Sequence, residues 1–374
     1  MQNKNTVWGV IKSVFKDRLR FDVSYLIALF ASIILALLVG AGIMAIVGYN
    51  PIECYEQLVT GAFGSPRAVG DTIAKSATLC ITGLAMAIAA KAGMFNVGGE
   101  GQLFMGAIVS AIVGVYLGGV SPFIAIPTAI LCAALAGALL ALFPAVLKVK
   151  MGISEVVVTI LLNTAAIKFC GYLASGPFKT TEGAVAVGTT KLAKDIMFEK
   201  LVPLSNLTSS IYIAAVMTLL VWYFMTHTTG GYEYGITGKN AEFAKYSGLK
   251  TNKIAVWSMI ISGAMCGLVG MFEVYGNQGR FVTTISNEFY FDGMLVAMIM
   301  RYNPFGIILM SIFFAMMKIG SASMELKVGI SSELILVIQS IIIFFMAAEN
   351  GITSEIKRRR DIARAKKSRK EQAI

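Results

Sequence analysis

Histidine is almost missing from this sequence, with one in 374 residues. A chain with a single imidazole has no His-based metal site or Ser-His pair, and neither HExxH nor GxSxG occurs. That lone His227 ends an apolar run, the position of an interfacial side chain rather than a ligand. Charge is scarce as well, at 14% of residues. The five cysteines (Cys54, Cys80, Cys132, Cys170 and Cys266) show no CxxC spacing, and four lie in apolar runs, so neither a disulfide framework nor a metal cluster is expected. Gly183 and Gly188 have phosphate-loop spacing, yet Thr189 and Thr190 stand where Lys and Ser/Thr are needed, so the chain does not itself cradle ATP. With no nucleophile–base set in view, the chain reads as a non-enzyme.

What is abundant is apolar residue, 56% of the chain, with a mean hydropathy of +0.74. That is membrane usage. Ten hydrophobic segments lie near 24–48, 72–91, 100–117, 122–147, 154–175, 208–226, 254–275, 288–302, 305–320 and 330–349. Most approach the ~20 residues that a helix needs to cross ~30 Å of hydrocarbon; the third and eighth are short. Ser24 to Gly48 is too long for a signal-peptide core and lacks a small-residue cleavage site, so it reads as a retained span. The runs are too long for the alternating strands of a barrel. The expected fold is an all-α polytopic membrane protein of about ten transmembrane helices.

A net charge of +11 would suggest nucleic acid in a soluble protein. Here the basic residues gather at chain ends and in loops, as topology signals do, so the expected partner is membrane lipid and not nucleic acid. With both termini cytoplasmic, the inner side receives 22 of the 32 Lys and Arg, nine of them in the final twenty residues. A basic tail gains about 1 kcal/mol per cation near anionic headgroups. The expected organisation is a cytoplasmic segment 1–23, a membrane domain 24–349 and a basic cytoplasmic tail 350–374. Loops near 49–71, 176–207, 276–287 and 321–329 then face outward.

One repeat runs through the domain. At an offset of 177, "GMFNVGGEGQLF" from Gly93 faces "GMFEVYGNQGRF" from Gly270, with six of twelve positions identical. At the same offset "ISEVVVTILL" from Ile153 faces "ISSELILVIQ" from Ile330. The copies, roughly segments 2–5 and 7–10, begin five spans apart and so have opposite orientation. Inverted repeats place a solute path at their interface.

The stretch from Lys91 to Ala107 sets Asn96, Glu100 and Gln102 among glycines inside apolar sequence. Non-helical backbone at membrane depth survives only against protein or a water-filled cavity. Two readings stand: a tight crossing whose polar groups satisfy broken backbone bonds, or a lining of the translocation path. Asn163, Glu273 and Asn277 join the same candidate set, the last two as repeat counterparts of Asn96 and Glu100. On this reading the two pairs face each other across one polar cavity. Ser154 is expected to cap the fifth segment with Glu155 at its start, and Lys168 to snorkel outward. "GAMCGLVG" (Gly263 to Gly270) has the spacing of close helix packing.

The inner loop 237–250 carries Gly238, Asn240, Ala241, Ala244 and Gly248. Its small residues suit a short surface helix with a shallow face for another protein, closed by Gly248. Three blocks, "GLAMAIAAKAGMFNVGGEGQLFMGA", "GISEVVVTILLN" and "GKNAEFAKYSGLKTNKIAVWSMIISGAMCGLVG", together resemble the permease subunits of bacterial ATP-binding-cassette importers for branched-chain amino acids, ribose-type sugars and nucleosides. The resemblance spans roughly residues 20–350 and is strongest to the nucleoside-type branch served by a basic membrane lipoprotein. Phe243 departs from it, standing where the family usually has a second alanine beside Ala244.

The resemblance implies a bacterial plasma-membrane permease and no cofactor in this chain. ATP and Mg²⁺ would be bound by a separate ATPase subunit docking on loop 237–250. An extracytoplasmic binding lipoprotein would deliver the solute, and a second, paralogous permease would complete the path. A simple sugar such as ribose, or a branched-chain amino acid, are alternative solutes. An ion-coupled secondary transporter using Glu100 or Glu273 is the alternative of another class.

Overall fold

The structure is a computed structural model and describes residues 23–180, 187–331, 334–341 and 343–345. Residues 1–22, Gly183 and the basic tail lie outside the described residues. In chain order come α1 (Val23–Val47), α2 (Pro51–Phe63), α3 (Pro66–Lys91), α4 (Gly99–Tyr116), α5 (Pro122–Met151) and α6 (Glu155–Ser175). After one short turn, Lys194–Ile196, follow α7 (Ser210–His227), α8 (Thr229–Lys239), α9 (Ala241–Tyr246) and α10 (Thr251–Phe272). A π-helical turn, Glu273–Gln278, extends α10. The last helices are α11 (Phe289–Ile299), α12 (Pro304–Val328) and α13 (Leu334–Phe345).

Among the described residues seven helices are long and apolar enough to cross a membrane: α3 to α7, α10 with its π turn, and α12. Three shorter apolar helices accompany them, at Ala31–Val47, Phe289–Ile299 and Leu334–Phe345. This is a multi-pass membrane protein. Isolated bridges such as Lys179–Thr189 and Gly188–Val282 are the extended pairings among the described residues. Two stretches read as plain loops from sequence prove helical: α2 occupies most of 49–71, and α8 precedes the short helix expected in the inner loop.

The chain divides into two compact units, Met1–Tyr55 with Gly329–Ile374, and Glu56–Val328. In the first, the Tyr55 hydroxyl donates to the Leu37 carbonyl (2.6 Å) and the Tyr49 hydroxyl to the Gly329 carbonyl (3.1 Å). Gly40 lets α1 approach Ile338 of α13 closely.

The second unit is built around α3, which is buried continuously from Thr78 to Ala89, as a helix apolar all round must be. Its start is specified locally: Ser65 accepts from the Ala68 amide (3.1 Å), and Pro66 takes the first helical position. Beside it, α10 is wedged between α4 and α5. A Cβ at Gly106 would strike the Gly267 backbone, one at Gly137 the Gly263 carbonyl, and one at Gly270 the Leu103 carbonyl. Backbone-to-backbone approach of this kind replaces hydrophobic driving force inside lipid, and it is what the spacing of "GAMCGLVG" predicts. On the far side of α5, Leu131, Leu135 and Leu139 stand exposed at four-residue intervals, a stripe suited to acyl chains. Gly152, in the left-handed region (φ 68°), ends α5. The expected Ser154 cap is absent: Ser154 makes no capping hydrogen bond, and Glu155 instead pairs with Lys148 (2.9 Å). Lys168 is exposed, as its reading requires.

Candidate functional site

The chain leaves helical geometry at two places that align in the repeat. The first break follows α3. Gly93 adopts φ +79°, and residues 94–97 run without regular structure before α4 begins. Two side-chain amides, Asn163 and Asn96, satisfy freed backbone groups, and a third, Gln102, braces Asn96. Asn163 accepts from the Gly101 amide (2.7 Å) and donates to the Val97 carbonyl (2.7 Å). Asn96, fully buried, accepts from the Gly98 amide (3.0 Å) and donates to Gln102 (2.9 Å) and Ser262 (2.9 Å). Gln102 returns a bond to Asn96 (3.1 Å). The Tyr290 hydroxyl donates to the Asn96 carbonyl. Every one of these bonds closes on protein, so Asn96, Gln102 and Asn163 hold the break together.

Glu100 is buried and takes its donor from outside the break. It accepts from the Tyr290 amide (3.0 Å) in the first turn of α11, with the Ser286 hydroxyl as a second donor. A carboxylate there also meets the positive end of α11. Gly99 beside it is required by close approach, since a Cβ there would enter the Tyr290 ring.

The second break follows α10. The π turn carries Glu273, which accepts from the Thr78 hydroxyl (3.2 Å) and from Asn277 (2.8 Å). The Asn277 side-chain carbonyl is buried without a hydrogen-bond partner. Further backbone bonds come from the long segment before α7. Phe198 donates to Tyr275 (2.9 Å), Leu192 to Gly279 (2.8 Å) and Thr189 to Phe281 (3.0 Å). A small cavity lies between this turn, α3, α7 and residues 206–208, lined on its polar side by Thr78, Asn206, Thr208, Ser210, Glu273 and Asn277. Its free volume of about 20 Å³ holds one water and no solute.

The expectation that Asn96 and Glu100 face Glu273 and Asn277 across one cavity is therefore corrected. The first pair is packed among α4, α6, α10 and α11, while the second lines a separate cavity. The reason is geometric. A Cβ at Gly238 of α8 would strike the Lys91 carbonyl at the first break, whereas the second break binds residues 189–198. Each pair is thus taken up by its own neighbours, although Glu100 and Glu273 both lie within electrostatic reach of Lys75 on α3.

Sequence reading missed the charged groups near the second break. The Lys75 ammonium lies over the Phe289 ring, 3.1 Å from its centroid, and within electrostatic reach of Glu273, Asp292 and Glu100. Lys318 forms an ion pair with Asp292 and donates to the Asn287 carbonyl (3.3 Å). In the sequence each of these is a solitary charge near the end of an apolar run, and only an unusual count of ionisable residues inside spans hints at them. Among the described residues no group of three or more His, Cys, Asp or Glu is placed to hold a metal ion.

At the other end of α7, Asn240 caps α9 by accepting from the Phe243 amide (2.9 Å), and Gly248 takes φ +84° to close it. Gly238, Asn240, Ala241 and Gly248 are exposed. Ala244 is fully buried, while Phe243 and Tyr246 stand out, at 59% and 91% exposure. Of the small residues expected on this face Ala244 alone turns inward, and the four exposed ones stand beside the aromatic Phe243 and Tyr246. Beside it, burial, and then the Glu233 carboxylate, raise the Tyr234 hydroxyl above the usual phenol range.

A family described as "Branched-chain amino acid transport system / permease component" matches residues 68–347. The guanosine ABC transporter permease protein NupP of Bacillus subtilis is 31% identical over 88% of this chain and 95% of its own length. The nucleoside ABC transporter permease protein NupB of Lactococcus lactis is 30% identical over 85% of this chain and 89% of its own. The probable riboflavin import permease protein RfuC of Treponema pallidum is 25% identical over 84% of each chain. No solved structure matches the chain.

Proposed function

The chain belongs to the family of permease components of the branched-chain amino acid transport type, and from this premise we propose that it is the membrane-spanning permease of an ATP-driven nucleoside importer. The observation that carries the solute class is the pair of guanosine and nucleoside permeases matched along nearly their whole length. On this reading ten helices cross the membrane as an inverted repeat, and both termini are cytoplasmic. The basic-residue split and the equivalent breaks after α3 and α10 support that arrangement.

The division of labour follows. A separate ATPase subunit binds ATP and Mg²⁺ and docks on residues 237–250, where Phe243 and Tyr246 offer exposed aromatic area. Contact between Gly238 and Gly93 carries that docking surface to the first break. An external lipoprotein delivers the solute at the opposite face, and a second permease subunit, a paralogue of this one, completes the path. The chain itself hydrolyses nothing.

The test is uptake of tritiated guanosine, adenosine and uridine by cells carrying the permease with its co-encoded ATPase and lipoprotein. Uptake should vanish when the ATPase is inactivated and survive collapse of the ion gradients. The reverse pattern identifies an ion-coupled transporter and overturns the proposal. A Phe243→Asp/Tyr246→Asp double variant should abolish solute-stimulated ATP hydrolysis while the permease still reaches the membrane; unchanged stimulation removes the docking assignment.

A further inference from the structure

The cavity at the π turn has a chemical bias that its walls define. Glu273 accepts two hydrogen bonds, from Thr78 and Asn277, and a carboxylate has about four acceptor sites, so roughly two stay free. The side-chain carbonyl of Asn277, buried at the same turn, has no partner. Such a group costs free energy unless something donates to it. Thr208 and Ser210 are hydrogen-bonded to each other at 2.9 Å on the opposite wall, and Phe272, Ile81 and Ala214 supply an apolar side. The Lys75 charge lies within electrostatic reach of Glu273, which makes the site poor for a free cation. What remains is an acceptor-rich, overall neutral pocket beside an apolar surface. A π turn, where the helical ladder is locally loosened, is a frequent mark of such sites.

We propose that Glu273 and Asn277 bind a vicinal diol on the solute, the 2′,3′-hydroxyl pair of a ribose in the nucleoside reading on which this inference rests. Two adjacent hydroxyls donate to the two Glu273 oxygens or are shared between Glu273 and the Asn277 carbonyl. The apolar wall takes the carbon face of the sugar ring. At about 20 Å³ the site has room for one water and no more, so the diol enters when α7 and residues 206–208 draw away from α3.

The test uses the complete importer in cells, at saturating concentrations of a tritiated ribonucleoside and of its 2′,3′-dideoxy analogue, with the same lipoprotein throughout. The readout is the ratio of the two import rates. Wild type should favour the ribonucleoside by ten-fold or more, by analogy with sites built to hydrogen-bond a hydroxyl, on the order of magnitude expected for one unpaired buried group. Glu273→Gln should bring the ratio to within about two-fold of unity, chiefly by slowing the ribonucleoside. If that variant fails to accumulate in the membrane, Asn277→Ala decides, with an expected fall in the ratio of about three-fold. An unchanged ratio in an accumulating variant, with nucleosides still imported, overturns this inference and leaves the nucleoside assignment standing. If the wild-type complex instead imports another diol-bearing solute, such as glucose or riboflavin, and Glu273→Gln loses it selectively against a deoxygenated analogue, the inference stands and the nucleoside assignment falls. Import confined to solutes that are neither nucleosides nor vicinal diols overturns both.

Discussion

The two breaks begin with nearly the same sequence, Gly-Met-Phe-x-Val, and solve the same backbone problem by different means. After α3 the loose amides and carbonyls are taken up by side chains, chiefly Asn163 and Asn96, donated from α6 and from the break itself. After α10 they are taken up by another piece of main chain, residues 189–198, through bonds from Thr189, Leu192 and Phe198. Side-chain satisfaction concentrates the burden on single residues; main-chain satisfaction distributes it over a segment. The first break is thus brittle to point substitution, and the second tolerant.

The largest effect is expected at Asn163. Asn163→Leu strands the Gly101 amide and the Val97 carbonyl together, and at about 1–3 kcal/mol for each buried orphan the loss should be about 2–6 kcal/mol. A detergent melting curve indistinguishable from wild type would erase the contrast between the breaks. Next comes Gly99→Ala, which drives a methyl into the buried Tyr290 ring and should cost about 1–3 kcal/mol by overpacking. Its counterpart Gly276→Ala meets only the Thr208 side chain and should cost less; equal losses would mean that both breaks are packed alike.

Glu100 gives a finer distinction. Glu100→Leu leaves the Tyr290 amide without its acceptor and should destabilise by about 1–2 kcal/mol. Glu100→Gln keeps an oxygen there and should melt near wild type. If Glu100→Gln is as damaged as the leucine variant, the negative charge at the start of α11 matters more than the bond. The smallest effect belongs to the second break. Thr189→Val removes one acceptor from the Phe281 amide while the Thr189–Phe281 main-chain bond remains, so the loss should be about 1 kcal/mol or below. A collapse as large as that of Asn163→Leu would show the second break to be equally brittle.

How far the sequence discloses this can be followed residue by residue. Run length and hydropathy suffice for the long helices, because membrane spanning is a requirement on consecutive residues. Gly263 and Gly267 are legible as a close crossing since their spacing is local to one helix. The glycine-rich stretch after Lys91 is legible as a break for the same reason. Which groups meet across helices is another matter. Repeat alignment makes Asn96 equivalent to Glu273, but equivalence in an inverted repeat is not contact: Asn96 bonds to Gln102 and Ser262, and Glu273 to Thr78 and Asn277. Lys75 and its acidic neighbours were invisible because Asp292 and Lys318 are a sequence-distant pair, twenty-six positions apart, and no period links them. Ala244 was misjudged because a small residue on a short helix serves equally well facing out or in.

The glycine seams of α10 restrict more than distance. Gly263, Gly267 and Gly270 meet α5 and α4 backbone to backbone, so turning the helix about its axis would swing larger side chains, Met265 or Met271, into spaces that admit no Cβ. Rotation is blocked, and sliding along the axis is the softer motion. Such a helix acts as a piston about 33 Å long, from its 22 residues at 1.5 Å each. Its lower end begins three residues after Gly248 and its upper end is Glu273. A thrust on that foot would arrive at the π turn as a displacement of the carboxylate, and the wider turn there gives the chain slack to yield without unwinding the rod.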